Sequence, residues 1–170
     1  MCEVLKPKAH LCHSRSTFSV LSFIKKKKNK TFSVLSRYMA TPSTLTYSDY
    51  VDQHLMKENV LSEAAIAGHR GEIWAQTSGF PRFPDAEIRN IMQEFDKPGT
   101  HRVLSCGGTD HVVVQSIPRI LIRTQLPGTD GGVIIMKTIQ LLLIGTYNSN
   151  PTRSSTIVED LGNFFVCNGL

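Results

Sequence analysis

A thiol flanked by imidazoles is the first arrangement in this 170-residue sequence that suggests chemistry. Cys106 stands between His101 and His111, with Asp110 beside the latter. A cysteine nucleophile needs such a base to take its proton and a third group to orient that base. The same residues also suit a buried strand cysteine beside a turn, because Gly107-Gly108 follows at once. Nothing else forms a catalytic constellation. Neither Gly107-Gly108 nor Gly131-Gly132 has the Gly-x-x-x-x-Gly-Lys-Ser/Thr spacing of a phosphate loop. His54 and His69 lack a partner at ligand spacing. The four cysteines (Cys2, Cys12, Cys106, Cys167) form no Cys-x-x-Cys pair and no zinc pattern. No metal and no cofactor is expected, and reduced thiols are the default in a cytosolic protein.

The formal charge of +5 invites a nucleic-acid reading until the charges are located. Residues 1–48 hold nine Lys/Arg and a single acid, Glu3, whereas the remaining 122 residues hold ten basic and thirteen acidic. A basic segment is therefore joined to a mildly acidic domain, and nucleic acid is not an expected partner of that domain. Residues 1–44 read as a basic, disordered N-terminal extension and 45–170 as one domain. Within the extension, Thr17–Ser22 recurs as Thr31–Ser36, with Lys25–Lys28 between the copies. Two copies are too few for a solenoid. A transit peptide, a phosphate-binding or nuclear basic cluster, and sequence ahead of a start at Met39 all stay open. No apolar run approaches the ~18 residues of a membrane span.

The elements that must position any site follow from periodicity. Tyr47, Tyr50, Val51, His54 and Leu55 form the stripe of a short amphipathic helix. Two strands are predicted between Ala64 and Thr77. A helix follows Pro84, with Ile88, Ile91, Met92 and Phe95 on its apolar face, and Pro98-Gly99 stops it. From Val103 to Tyr147, about five short strands separated by tight turns predict an antiparallel meander. A last helix is expected after Thr156, with Glu159 completing a capping box and Ile157, Val158, Leu161, Phe164 and Phe165 facing inward. The order predicts an α+β domain, a central antiparallel sheet with helices on its faces and the terminal helices side by side.

A dozen short motifs then occur in order. They include Tyr50-Val51-Asp52-Gln53-His54-Leu55-Met56, Ile73-Trp74-Ala75-Gln76, Phe80-Pro81-x-Phe83 and Pro98-Gly99-Thr100. Gly107-Gly108-Thr109, Ile122-Arg123, Gly131-Gly132-Val133, Lys137-Thr138, Ile144-Gly145-x-Tyr147 and Val158-Glu159-x-Leu161-Gly162 follow. Together, from about Thr46 to Leu170, the sequence resembles plant-type profilin. The resemblance implies a central antiparallel sheet between N- and C-terminal helices on one face and a short helix on the other. It implies a cytoplasmic, cytoskeletal, non-enzymatic protein that binds actin monomers, proline-rich (formin-like) proteins and phosphatidylinositol bisphosphate.

The same resemblance assigns residues. A polyproline II ligand has no internal hydrogen bonds and is received by aromatic-lined grooves with a few donors. The matching positions are Tyr47 (usually Trp), Tyr50, Trp74 and Phe164 (usually Tyr). The two replacements keep the aromatic surface and lose donors, at about 1 kcal/mol for each lost hydrogen bond. Val113, Arg123 and Lys137 match the actin and phosphoinositide face. There Asp110 stands where Lys is common, Gln125 and Leu126 replace lysines, and Met136 replaces the first of a Lys-Lys pair. The turn from Arg123 to Gly131 is also two residues longer than the plant pattern. Weakened actin and phosphoinositide binding is the expectation. A copy that retains only proline-rich binding and a thiol enzyme using Cys106 are the alternatives.

Overall fold

The computed structural model describes residues 45–170, and the readings made for residues 1–44 lie outside them. Helix α1 (Tyr47–Tyr50) opens on a capping box, in which the Thr46 hydroxyl accepts from the Asp49 amide and the Asp49 carboxylate accepts from the Thr46 amide. It runs into a π-helical turn, Val51–Leu55. Strands β1 (Glu63–Gly68) and β2 (Ile73–Gln76) follow, then α2 (Asp85–Asp96). Next come β3 (Val103–Cys106), β4 (Thr109–Ile117), β5 (Leu121–Gln125), β6 (Gly132–Lys137) and β7 (Leu141–Tyr147). Helix α3 (Pro151–Cys167) closes the order. The seven strands make one antiparallel sheet in the order β2-β1-β7-β6-β5-β4-β3. Element order and fold class agree with the sequence reading.

Burial explains the central position of β6 and β7. Their runs GVIIM and LLLIG are buried along their length, so both faces of these strands are covered. On one face Ala64, Ile66, Ile134, Met136, Leu141 and Leu143 pack with Tyr50, Val51, Leu55, Val158, Leu161 and Phe165 of the terminal helices. On the other, Ala65, Ala67, Ile122, Ile135, Leu142 and Ile144 pack with Ile88, Ile91 and Phe95 of α2. Strand alternation thus divides one sheet between two cores. The terminal helices lie side by side, Tyr50 meeting Phe165 edge-on at 5.0 Å between ring centroids.

Helix α3 begins six residues before the position the sequence suggested, its cap at Asn150 rather than Thr156. Asn150 adopts the left-handed conformation (φ 58°) and its side chain accepts from the Arg153 amide, while Pro151 fills the first helical position. Thr156 is already inside the helix, and its hydroxyl donates to the Thr152 carbonyl. Glu159 caps nothing; it accepts from Ser155 and from Arg123 instead.

Two carboxylates of α2 hold the β3 region. Glu87 accepts from the Ser105 hydroxyl (2.9 Å) and from the Gly107 and Gly108 amides (2.7 and 2.9 Å). Both glycines have positive φ, which the tight β3–β4 turn requires. Glu94 accepts from the Gly99 and His101 amides at 2.7 and 2.8 Å. Burial pushes the Glu94 carboxyl up, but the two amide bonds, together with Ser116 and the charge of His101, outweigh it and hold the pKa below the ordinary value.

His111 is buried with its Nδ1 unpartnered among the described residues. Burial lowers its pKa, against smaller raising effects of Asp110 and Glu87. A histidine held neutral in the fold takes up its proton more readily when unfolded. The unfolded chain therefore binds more protons below the ordinary value of 6.5, and stability falls as the pH drops through that region. The urea midpoint is expected to fall between about pH 7.5 and 5.5, and His111→Gln to flatten part of that slope. An unchanged slope in the variant would remove His111 from this account.

Candidate functional site

The thiol arrangement does not assemble into a nucleophile. Cys106 is buried, and burial first, then the charges of Glu87 and Asp110, pushes its thiol up to about 12. It therefore stays protonated at neutral pH and lacks thiolate character. His101 is turned away onto the Gln93 side chain at 3.1 Å. Cys106 and His111 do border one cleft of about 410 Å³, with Tyr147 and Gly131–Val133. No group of three His/Cys/Asp/Glu able to hold a metal ion occurs among the described residues.

The aromatic residues do converge. Thr46 caps α1 so that Tyr47 and Tyr50, one turn apart, point the same way. Trp74 reaches Tyr47 from the edge strand β2, their ring centroids 5.0 Å apart at 57°. It does so because β2 carries a bulge: Ile66 pairs with Ala75 and Ala67 with Ile73, leaving Trp74 as the extra residue. A bulge re-aims the side chain it leaves unpaired, and Trp74 is 40% exposed although its strand flanks a core. Phe164 arrives from the last turns of α3, 6.0 Å from Tyr50 at 40°.

Tyr50 is the floor of this surface rather than its rim. It is only 6% exposed, with Phe165 edge-on beneath it and His54 stacked beside it at 5.5 Å and 30°. Burial, then the neighbouring Tyr47, raises the Tyr50 pKa, so its hydroxyl remains a donor at neutral pH. Tyr47 and Phe164 are half-buried. Three chain-distant elements thus present flat ring surfaces side by side, with the Trp74 indole and the Tyr47 phenol as donors at the margin. Such a surface suits pyrrolidine rings and the free carbonyls of a polyproline II chain.

The residues assigned to the second surface separate. Gln115 lies opposite Arg123, and Val112 opposite Gln125, so these four share the face that carries the terminal helices. Arg123 donates to the Ser155 hydroxyl (2.8 Å) and to Glu159 (3.2 Å) on α3. Val113 lies on the other face and packs against the α2-side core. Lys137, paired in register with Leu142, also points to that side, 3.7 Å from Asp96 and over the Phe95 ring. The structure does not bring Val113, Arg123 and Lys137 to one face.

Sequence reasoning passed over the residues that are exposed beside Arg123. Val103 and Val112 are paired across β3 and β4 and remain 48% and 43% exposed. Val114 is 63% exposed at a second bulge, where Val113 pairs with Thr124 and Gln115 with Arg123. Runs of three valines read as core; only the sheet edge and the bulge leave them open. Asp110 and Gln125 flank this apolar surface, both exposed.

The family model for profilin matches residues 46–170. The chain belongs to the profilin family. Profilin II of Acanthamoeba castellanii is 28% identical with a TM-score of 0.66, over 74% of this chain and 100% of its own. Mouse profilin IIa, in complex with a double repeat from the FH1 domain of mDia1, is 20% identical with a TM-score of 0.59, over 73% and 99%. LokiProfilin2, in complex with rabbit actin, is 18% identical with a TM-score of 0.57, over 69% and 92%. The profilin fold accounts for the seven-stranded antiparallel sheet and its helices. No helix among the described residues is long and apolar enough to cross a membrane.

Proposed function

We propose that this chain is a non-enzymatic actin-monomer-binding protein that regulates actin polymerisation and docks proline-rich, formin-like proteins. Tyr47, Tyr50, Trp74 and Phe164 form its proline-rich site. The observation that carries this reading is the convergence of those four aromatics from three chain-distant elements onto one surface. The partners seen with two other members of the fold, rabbit actin and a formin-homology repeat, support it. So does the resemblance to plant-type members, the branch to which we assign the chain. Its place of action on this reading is the cytoplasm, on the cytoskeleton. Retention of the full chain on a poly-L-proline resin, with release by free proline peptide, tests it; passage through the resin without delay contradicts it.

Actin is the weaker partner on this reading. The exposed valines beside Arg123 supply an apolar centre for an interface. Their charge setting is poor, however: Asp110 carries the wrong sign for an acidic partner, and Glu159 neutralises Arg123. Asp110→Lys is therefore expected to tighten actin-monomer binding by about fivefold, one reversed charge at an interface rim contributing about 1 kcal/mol. A pyrene-actin assembly assay reads this as stronger suppression of nucleation, and no change would contradict it. Phosphatidylinositol bisphosphate is expected to bind least. Each basic residue near an anionic surface contributes about 1 kcal/mol, and Arg123 and Lys137 are both ion-paired and lie on opposite faces.

A further inference from the structure

We propose that His54 is a further ligand-contacting residue of the proline-rich groove, extending its aromatic row at the end remote from Trp74; this rests on the reading of that groove given above. The row runs Tyr47, Tyr50, His54 along a single helical stripe. Its last step falls in the π-helical turn Val51–Leu55, closed by the Met56 amide on the Val51 carbonyl at 2.9 Å. Such i→i+5 turns are rare and recur at functional sites. Here the turn holds the imidazole in a near-parallel stack on Tyr50, 5.5 Å between centroids.

The surroundings of His54 suit a ligand contact better than a structural one. The ring is half-buried, so one edge meets solvent while its face rests on Tyr50. Neither ring nitrogen hydrogen-bonds to a described residue. Burial, then the Lys57 ammonium, lowers its pKa, so the ring is uncharged at neutral pH. A neutral imidazole offers a flat face and one N–H donor without a charge to desolvate. A polyproline II chain needs both, because its carbonyls carry no internal hydrogen bonds. Tyr47 lacks an indole donor and Phe164 lacks a hydroxyl. The His54 N–H supplies a donor on that surface.

The geometry also sets the footprint. From Tyr47 to His54 the helix advances about 10 Å at roughly 1.5 Å per residue, close to the ~9 Å of three polyproline II residues. His54 should therefore be felt by longer proline segments and hardly by short ones.

Calorimetric titration of the full chain with proline peptides of about six and about ten residues tests this. For His54→Ala, about fivefold weaker binding of the long peptide is expected, with the short peptide within about twofold of wild type. His54→Phe, which keeps the stack and loses the donor, should fall between, and it carries the test if the alanine variant fails to fold. Equal affinities in wild type and variants, or equal losses on both peptides, would overturn the assignment; the second outcome marks a purely structural role. Wild-type protein that binds neither peptide removes the groove itself and this inference with it, whereas normal wild-type binding with unaffected variants removes only the inference.

Discussion

Replacing Glu87 with alanine is expected to lower the unfolding free energy by about 3 kcal/mol, because its carboxylate anchors the β3–β4 turn through hydrogen bonds. The carboxylate is 7% exposed and accepts from one hydroxyl and two amides across the α2–β3 junction. Hydrogen bonds to a charged acceptor contribute about 1.5–3 kcal/mol each, and unpaired donors add desolvation costs. Gly108 is exposed and water can replace its partner, so two bonds count, each near the lower end of that range, about 3 kcal/mol together. Glu87→Gln retains one amide oxygen as acceptor and should cost about half as much. Urea denaturation reads both values. A loss below about 1 kcal/mol for the alanine variant would mean that the β3–β4 turn does not depend on this clamp. Proline-peptide binding should be unaffected, because the clamp lies on the α2 side of the sheet.

Trp74→Ala is expected to do the opposite. Proline-peptide affinity should fall by about 30-fold or more, since tryptophan anchors of a recognition surface typically contribute at least about 2 kcal/mol. Stability should change by about 1 kcal/mol or less, because the indole is 40% exposed and its main described neighbour is the Tyr47 ring. Calorimetry with a proline peptide and thermal unfolding of the same preparation separate the two effects. Comparable losses in both would mark Trp74 as a packing residue. Trp74→Phe should recover part of the binding, as a smaller ring still offers a flat face.

Much of this was legible in the sequence, because periodicity reports burial directly. The stripe Tyr47, Tyr50, Val51, Leu55 and the runs of β6 and β7 identify surfaces that must be covered, and they are. The start of α3 differs from the sequence pattern for a definite reason. Thr156 and Glu159 satisfy a capping-box spacing, but Asn150-Pro151 is the stronger start, its αL backbone and fixed proline φ nucleating the first turn earlier. The faces of the sheet were harder. Alternation tells in from out only while the register is unbroken, and a bulge shifts the count by one. The bulge in β4 leaves Val114 outside as the extra residue and puts Gln115 on the face of Val112, where unbroken alternation would have put it on the face of Val113. Lys137, on the unbroken β6, follows plain alternation: its neighbour Met136 packs under Gly162 of α3, which turns the lysine to the other side. The bulge at Trp74 was equally invisible, although the tryptophan itself was not.

The emission of Trp74 is the most direct probe of the central claim, since it is the only tryptophan and sits on the proposed surface. Titration of the full chain with poly-L-proline should give a saturable spectral change, complete by millimolar proline and absent with a glycine-serine peptide of equal length. A spectrum unmoved at millimolar proline would contradict the groove, and with it the reading of this chain as a receptor for proline-rich partners.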